Sequence, residues 1–294
     1  MKQIQWFPGH MKKTLREIQE NIGLVDIVIE LRDARIPLAS ENPQIAKLIQ
    51  DKKRLIILTK KDLADEYFTT MWMNYFKEQG IEAIAFDVHK DNVLKIIQVS
   101  ERILVEKFAR DKARGMKKRP IKAMIVGIPN VGKSTLINKV SRKKATTVGD
   151  KPGVTKTKQW IRINKDMELL DTPGVLWPKF DNEYFGLRLA TIGTIKDTIL
   201  PLEAVIFYLL DQLKTFYAGA LSKRFLQEED LAFETQDNQQ LLQVIGEKRG
   251  LYTANNLIDE HQVMMLILNE FRNGKLGRVT LDRNLSELGE EHAE

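Results

Sequence analysis

Gly127-Ile128-Pro129-Asn130-Val131-Gly132-Lys133-Ser134 is the stretch on which the reading of this sequence turns. It has the form G-x-x-x-x-G-K-S, the phosphate-binding loop. The motif needs a strand in front and a helix behind, and the sequence supplies both. Ile121 to Val126 is a compact apolar run suited to a buried parallel strand, and Thr135 to Val140 opens a helix. The glycines let the backbone approach phosphates closely, and the N–H groups of the loop and helix N-terminus point at a polyanion. The expected cradle runs through Asn130, Val131, Gly132, Lys133, Ser134 and Thr135. Lys133 is expected to reach the β- and γ-phosphates and the Ser134 hydroxyl to bind Mg²⁺.

Outward from this loop, composition sets the frame. A chain of 294 residues with 43% hydrophobic content can hold one α/β domain and a smaller second one. The formal net charge of +6 leans towards an acidic partner such as RNA. The absence of cysteine excludes disulfides and Cys-ligated zinc. There is no apolar leader and no apolar run of bilayer length, so the expectation is a cytoplasmic protein with no membrane role.

Upstream, Met11, Leu15, Ile18 and Ile22 recur at helical spacing. Leu24 to Leu31 reads as a strand, Pro43 to Gln50 as a short helix and Arg54 to Leu58 as a second buried strand. Tyr67 to Gln79 is helical with Gly80 as its C-cap, Ile81 to Phe86 is a third strand, and Val93 to Arg110 is one helix that grows basic. Downstream, Gln159 to Ile163 and Met167 to Leu170 are strands. Alternating strands and helices predict an α/β fold, a mainly parallel sheet with helices on both faces. After Asp181 only helices are expected: Tyr184 to Ala190, Pro201 to Phe216, Ala218 to Phe225, Asn238 to Gly246 and Thr253 to Phe271. The expected division is 1–180 for the nucleotide domain and 181–294 for a small helical domain with an acidic, fraying tail.

A phosphate loop alone does not choose between ATP and GTP. Asp171-Thr172-Pro173-Gly174 ends a strand, so Asp171 can hold Mg²⁺ through water and the Gly174 N–H can sense a γ-phosphate. Thr155, in the loop between the two motifs, can close on Mg²⁺ and the γ-phosphate. Thr59-Lys60-Lys61-Asp62 follows another strand and has the pattern of the guanine-reading N-K-x-D motif, with Thr59 in the Asn position. Asp62 would accept from the guanine imino N–H and amine, where adenine offers a lone pair and no amine. Such a site rejects the wrong base strongly. The Lys60 stem would pack on the base.

The order of these motifs is unusual, because the guanine motif precedes the phosphate loop. That order looks like a circularly permuted GTPase. Trp6-Phe7-Pro8-Gly9-His10-Met11, Asp33-Ala34-Arg35-Ile36-Pro37, the phosphate loop and Phe271-Arg272-Asn273-Gly274-Lys275-Leu276-Gly277-Arg278 together resemble the circularly permuted ribosome biogenesis GTPase A (YlqF/RbgA) family over nearly the whole chain. Phe86-Asp87-Val88-His89 departs from it, since the family has a small polar base-contacting loop there. The resemblance implies GTP hydrolysis to GDP during late assembly of the large (50S) ribosomal subunit, stimulated by the particle. It points to His10 as the catalytic group, because Val175 stands where many GTPases carry a water-orienting glutamine. It also implies a K⁺ ligand at Asn130.

Two other classes fit parts of the sequence: an ATP-using P-loop kinase or ATPase, and an RNA-binding protein whose nucleotide site only tunes affinity. Basic residues cluster in Lys107–Lys122, in Lys139–Lys158 and in Arg272, Lys275 and Arg278. The last group sits in a glycine-punctuated segment suited to ribosomal RNA phosphates. A monomer is expected.

Overall fold

The computed structural model describes residues 10–141, 160–172, 174–176, 183–199, 201–228 and 230–285; for 10, 11 and 141 it describes the backbone alone. Within these residues the chain divides into two units, one spanning 10–62 and 66–176, the other joining 63–65 to 183–285.

Among the described residues the first unit is built on six strands: β1 (Ile27–Asp33), β2 (Lys53–Thr59), β3 (Glu82–Phe86), β4 (Ile121–Gly127), β5 (Trp160–Arg162) and β6 (Met167–Asp171). Their order is β3-β2-β1-β4-β6-β5. All neighbours are parallel except β5, which runs antiparallel to β6 at the edge. β1 lies between β2 and β4 and all seven of its residues are buried. Burial on both faces explains the unbroken apolar runs of β2 and β4. Register brings the functional strand ends together. Asp33 of β1 lies opposite Thr59 of β2, Leu31 opposite Gly127 of β4, and Ile125 of β4 opposite Asp171 of β6. A crevice outside the carboxyl ends of parallel strands is the usual ligand position in open α/β sheets.

The strands alternate with α1 (His10–Asn21), α2 (Pro43–Ile49), α3 (Glu66–Glu78), α4 (Leu94–Ile103), α5 (Val105–Ala113) and α6 (Lys133–Ser141). The single helix expected over Val93 to Arg110 is in fact two, α4 and α5. Leu104 between them is fully buried, whereas α5 has no buried residue, so the break lets an apolar anchor drop inward while a basic helix stays wet. Asp26 then fastens the basic connection to β4. It is 6% exposed, and it pairs with Lys107 and with both Arg119 terminal nitrogens at 2.7 Å, and accepts from Lys122 N at 2.9 Å.

The second unit contains α7 (Glu183–Thr191), α8 (Leu202–Phe216), α9 (Ala220–Phe225), α10 (Leu231–Glu234), α11 (Asn238–Arg249) and α12 (Glu260–Arg272). Two sequence expectations need correction here. The helix expected over Thr253 to Phe271 begins only at Glu260. Asn256 takes φ 59° in a turn, Tyr252 bridges Ile258, and the Asp259 carboxylate caps the helix by accepting from Gln262 N at 3.0 Å. Conversely, α11 runs past Gly246 to Arg249 and ends at left-handed Gly250; Gly246 is there for packing, since a Cβ would lie 2.5 Å from Ile258 Cγ2. The acidic stretch over Gln227–Asp237 also has internal work. Asp230 and Asp237 are N-caps, and buried Glu234 accepts from Gly219 N, Leu221 N and Ser222 N.

Leu63–Asp65 belong to this second unit. Leu63 O accepts from Val279 N at 3.0 Å, and Asp65 N donates to the Thr280 hydroxyl at 3.1 Å. Gly274 has φ 72°, and a Cβ there would lie 2.6 Å from Leu63 Cδ2, so any other residue would be strained and would push that side chain aside.

Candidate nucleotide-binding site

The phosphate loop follows β4 and enters α6, the strand–loop–helix context its sequence requires. Gly132 has φ 99° and Asn130 has φ 59°, both left-handed; the glycine does so without strain. Asn130, Ser134 and Thr135 are exposed, while Val131 is buried beneath them as the loop's anchor.

The β6 end meets this loop closely. Lys133 Nζ lies 2.9 Å from Asp171 Oδ1. Gly174 passes so near Pro129 that a Cβ would meet its Cα at 2.9 Å. Two bonds then pin Val175: its N–H donates to Gly127 O at 3.1 Å, and its carbonyl accepts from Asn42 Nδ2 at 2.9 Å. Asn42 also caps α2 through its Oδ1. Val175 and Leu176 are fully buried, so the residue after Gly174 serves the core and orients no water.

The loop after β2 closes on the phosphate loop from the other side. Thr59 Oγ1 lies 2.7 Å from Val131 O and 3.1 Å from Arg32 O; with one proton to give, the shorter contact takes it. Thr59 therefore links the two loops, although it replaces an asparagine. Lys60 has φ 55° and donates from Nζ to Asn130 O at 3.0 Å. The same ammonium is 3.0 Å from Oδ2 of fully buried Asp33. Burial alone would raise the Asp33 pKa, but the charges of Arg35 and Lys60 hold it well below the ordinary carboxylate range. Asp62 is half-buried.

The loop after β3, which the sequence left without a role, is braced beside these elements. Lys61 Nζ pairs with Asp91 Oδ2 at 2.6 Å. Lys139 of α6 donates to the carbonyls of Val88 and Asp91, and Asp87 Oδ1 accepts from His89 N at 2.7 Å. Lys139 is thus tied inside the fold, although its charge had placed it in a basic cluster.

Several sequence candidates lie outside the described residues: Thr155, the basic positions from Arg142 to Lys158, and the side chain of His10. In the second unit, Arg272 donates to Ala190 O and Thr191 O at 2.9 Å and pairs with Asp197 at 2.9 Å, so it braces α7 against α12. Lys275 and Arg278 are exposed, the former with Nζ 3.3 Å from Glu270. The signal missed in the sequence is Asp33-Ala34-Arg35. It was legible only as part of a family pattern, because a charged tripeptide after a strand ordinarily reads as solvated.

A parallel sheet with a G-x-x-x-x-G-K-S loop at its centre, an Asp-x-x-Gly motif on one neighbouring strand and a guanine-type motif earlier in the chain defines a circularly permuted P-loop GTPase. A family model described as 50S ribosome-binding GTPase matches residues 122–269. The chain is 47% identical to a Ribosome biogenesis GTPase A of Bacillus cereus, over 98% of this chain and 96% of the relative. It is 33% identical to the protein of the same name from Thermotoga maritima, over 95% and 94%. A solved GDP-bound structure of TM YlqF superposes with TM-score 0.64 at 26% identity, covering 91% of this chain and 99% of that one. The chain belongs to the ribosome biogenesis GTPase A family. It is a GTPase, and Mg²⁺ is the metal such GTPases generally use.

The donors here suit that ion. Hard Mg²⁺ prefers oxygen, keeps several waters and is held by few protein groups. The exposed Ser134 hydroxyl and the exposed Asp171 carboxylate meet that description. When bound, Mg²⁺ neutralises phosphate charge.

Proposed function

We propose that this chain hydrolyses GTP as a timed step in late maturation of the large ribosomal subunit, with turnover stimulated by the particle. The observation that carries the guanine reading is the pairing of two loops: Thr59 on Val131 O and Lys60 on Asn130 O. It sets a base-reading loop directly beside a phosphate-reading loop. Asp62 accepts from guanine, and the Asn130–Thr135 backbone with Lys133 takes the phosphates. Ser134 and Thr155 hold Mg²⁺ directly, with Asp171 acting through water. Gly174 N–H reports the γ-phosphate.

His10 is the general base or water-positioning group, a role supported by the buried, apolar Val175. Asn130 contributes an exposed oxygen donor towards K⁺, which offsets charge without an arginine finger. Lys275 and Arg278 contact rRNA phosphates; Arg272, committed to Asp197, is withdrawn from that set. The nucleotide domain spans 1–180 except for 63–65, which pack with the helical domain of 181–294, and the protein works as a cytoplasmic monomer. Because the Asp171–Gly174 loop leads on towards the helical domain, nucleotide state sets that domain's engagement with the particle. The deciding experiment is GTP hydrolysis with and without purified large subunits. Stimulation by subunits is expected, and equal rates in both arms would refute the timed step.

A further inference from the structure

Asp33 sits where a simple buried ion pair would suffice, yet it holds more. Its Oδ1 accepts from Arg35 N at 3.1 Å and Arg35 Nε at 2.9 Å, and its Oδ2 accepts from Arg35 Nη2 at 2.8 Å. That bidentate grip already neutralises the carboxylate, and both residues are at most 1% exposed. A fourth donor, Lys60 Nζ at 3.0 Å, fills the remaining lone-pair site. This ammonium belongs to the loop that reads the base. Its second bond, to Asn130 O at 3.0 Å, ends on the phosphate loop. Lys60 is a left-handed non-glycine residue, a conformation that for a lysine persists where neighbours enforce it. Ala34 N also donates to Thr59 O at 2.9 Å, so backbone and side chain of the Asp33–Arg35 segment hold the same loop.

We propose that Asp33 is a positioning residue for the nucleotide base. It pins the Lys60 ammonium against the phosphate loop, so that the lysine's four-carbon stem becomes a fixed ledge under the purine ring. Arg35 holds Asp33 in that orientation. The inference rests on the reading that Thr59–Asp62 take guanine, and assigns the Asp33-Ala34-Arg35 segment a part in it. A ledge touches the face of the ring, whereas Asp62 reads its edge. Asp33 therefore governs affinity for all purine nucleotides alike, and Asp62 governs choice among them.

The test is a double-mutant cycle on Asp33→Asn and Lys60→Met, the latter keeping an apolar stem without the charge. Binding of fluorescently labelled GDP, inosine diphosphate and xanthosine diphosphate is measured, with inorganic pyrophosphate as a competitor that has no base. Asp33→Asn is expected to weaken all three nucleotides by a common factor of roughly 10 to 100. Pyrophosphate affinity should stay within about twofold, a change too small to reflect a lost charged hydrogen bond. In the Lys60→Met background the same substitution should add almost nothing. An additive cycle, an equal loss for pyrophosphate, or unchanged GDP affinity overturns the proposal. If Asp33→Asn does not fold, the wild-type chain supplies the answer through its lysine ammonium NMR signals. One slowly exchanging ammonium, missing in Lys60→Met, is expected, and its absence overturns the anchor. Failure of the guanine reading is distinct: Asp62→Asn would then leave the preference for GDP over xanthosine diphosphate unchanged, whatever the cycle gives.

Discussion

Lys133 Nζ and Asp171 Oδ1 are 2.9 Å apart, so the phosphate-seeking cation and the carboxylate assigned to metal face each other across two strand ends. In the roles proposed for them, each would give up the other to serve a triphosphate with Mg²⁺. The pair therefore competes with nucleotide, and it does so weakly, because Asp171 is 37% exposed and solvent screens it. Lys133→Ala is expected to weaken GTP binding roughly 100-fold through loss of a charged contact. Asp171→Asn should lower Mg²⁺-dependent hydrolysis, yet leave GDP binding in EDTA unchanged or up to about fivefold tighter. Fluorescence titration in EDTA checks this, and weaker metal-free binding by Asp171→Asn would show that the pair supports the empty site.

Asp62→Asn should weaken GTP binding and shift preference towards xanthosine triphosphate, since xanthine carries an oxygen where guanine carries its amine. The expected loss for GTP is about 2 kcal/mol, the cost of leaving a polar edge unmatched. Competition titration with the two nucleotides measures it, and retained GTP selectivity removes Asp62 from base reading.

His10→Ala should lower subunit-stimulated turnover by roughly 100-fold or more while GTP affinity stays nearly intact, the pattern of a group that acts only in the transition state. Replacing K⁺ by Na⁺ should reduce turnover of the wild-type chain. Equal rates in the two salts would eliminate Asn130 as a K⁺ ligand without touching the case for His10.

Asp26 gives a prediction in pH. Burial works against its charge, but Arg119, Lys107 and the Lys122 N–H more than reverse that, so its pKa lies well below the ordinary carboxylate range. A depressed carboxylate contributes stability that is fully present above its unfolded pKa, near 4, and drains away as pH falls towards the folded value. Asp26→Asn should cost about 2 kcal/mol at pH 7. Denaturant midpoints of the two chains should converge as the pH falls below about 4, because protonated Asp26 is no better a partner than asparagine. A constant gap down to pH 2 would assign the loss to shape rather than charge.

Charge reversal at Lys275 and Arg278 should abolish subunit-stimulated hydrolysis and leave slow intrinsic hydrolysis intact. Wild-type binding to large subunits should fall steeply with salt, the reversed variant's less steeply. Sedimentation of chain with subunits between 50 and 200 mM KCl, roughly the range over which counterion release changes affinity most visibly, reads both slopes. A reversed variant that binds and responds normally moves the RNA contact elsewhere.

Much of this was legible in the sequence because the phosphate loop, Asp171–Gly174 and Thr59–Asp62 are short-range motifs whose chemistry requires their residue types. The strands were legible too, since central parallel strands are continuous apolar runs. The failures share a physical cause: a residue's role depended on a distant partner. Leu104 broke a basic amphipathic helix because the core needed an anchor there. Glu234 reads as surface charge and is instead a buried acceptor for three N–H groups 12 to 15 residues earlier. Arg272 reads as a phosphate contact and is spent on Asp197. Asp33 was legible only within a family motif, and its carboxylate is saturated with donors.

Leu63–Asp65 carry a consequence for how the molecule is made. The bond from Asp65 N to the Thr280 hydroxyl spans 215 residues of a 294-residue chain. On a translating ribosome, this short segment emerges with the first strands, but the groups that satisfy it are synthesised about 215 residues later. The helical unit cannot close around Leu63 until residue 280 has left the tunnel, so the final step of its folding waits for that residue. A fragment that starts at residue 180 never contains Leu63 at all. It should expose the hollow above Gly274 and melt early, unless a peptide covering residues 59–68 is added back.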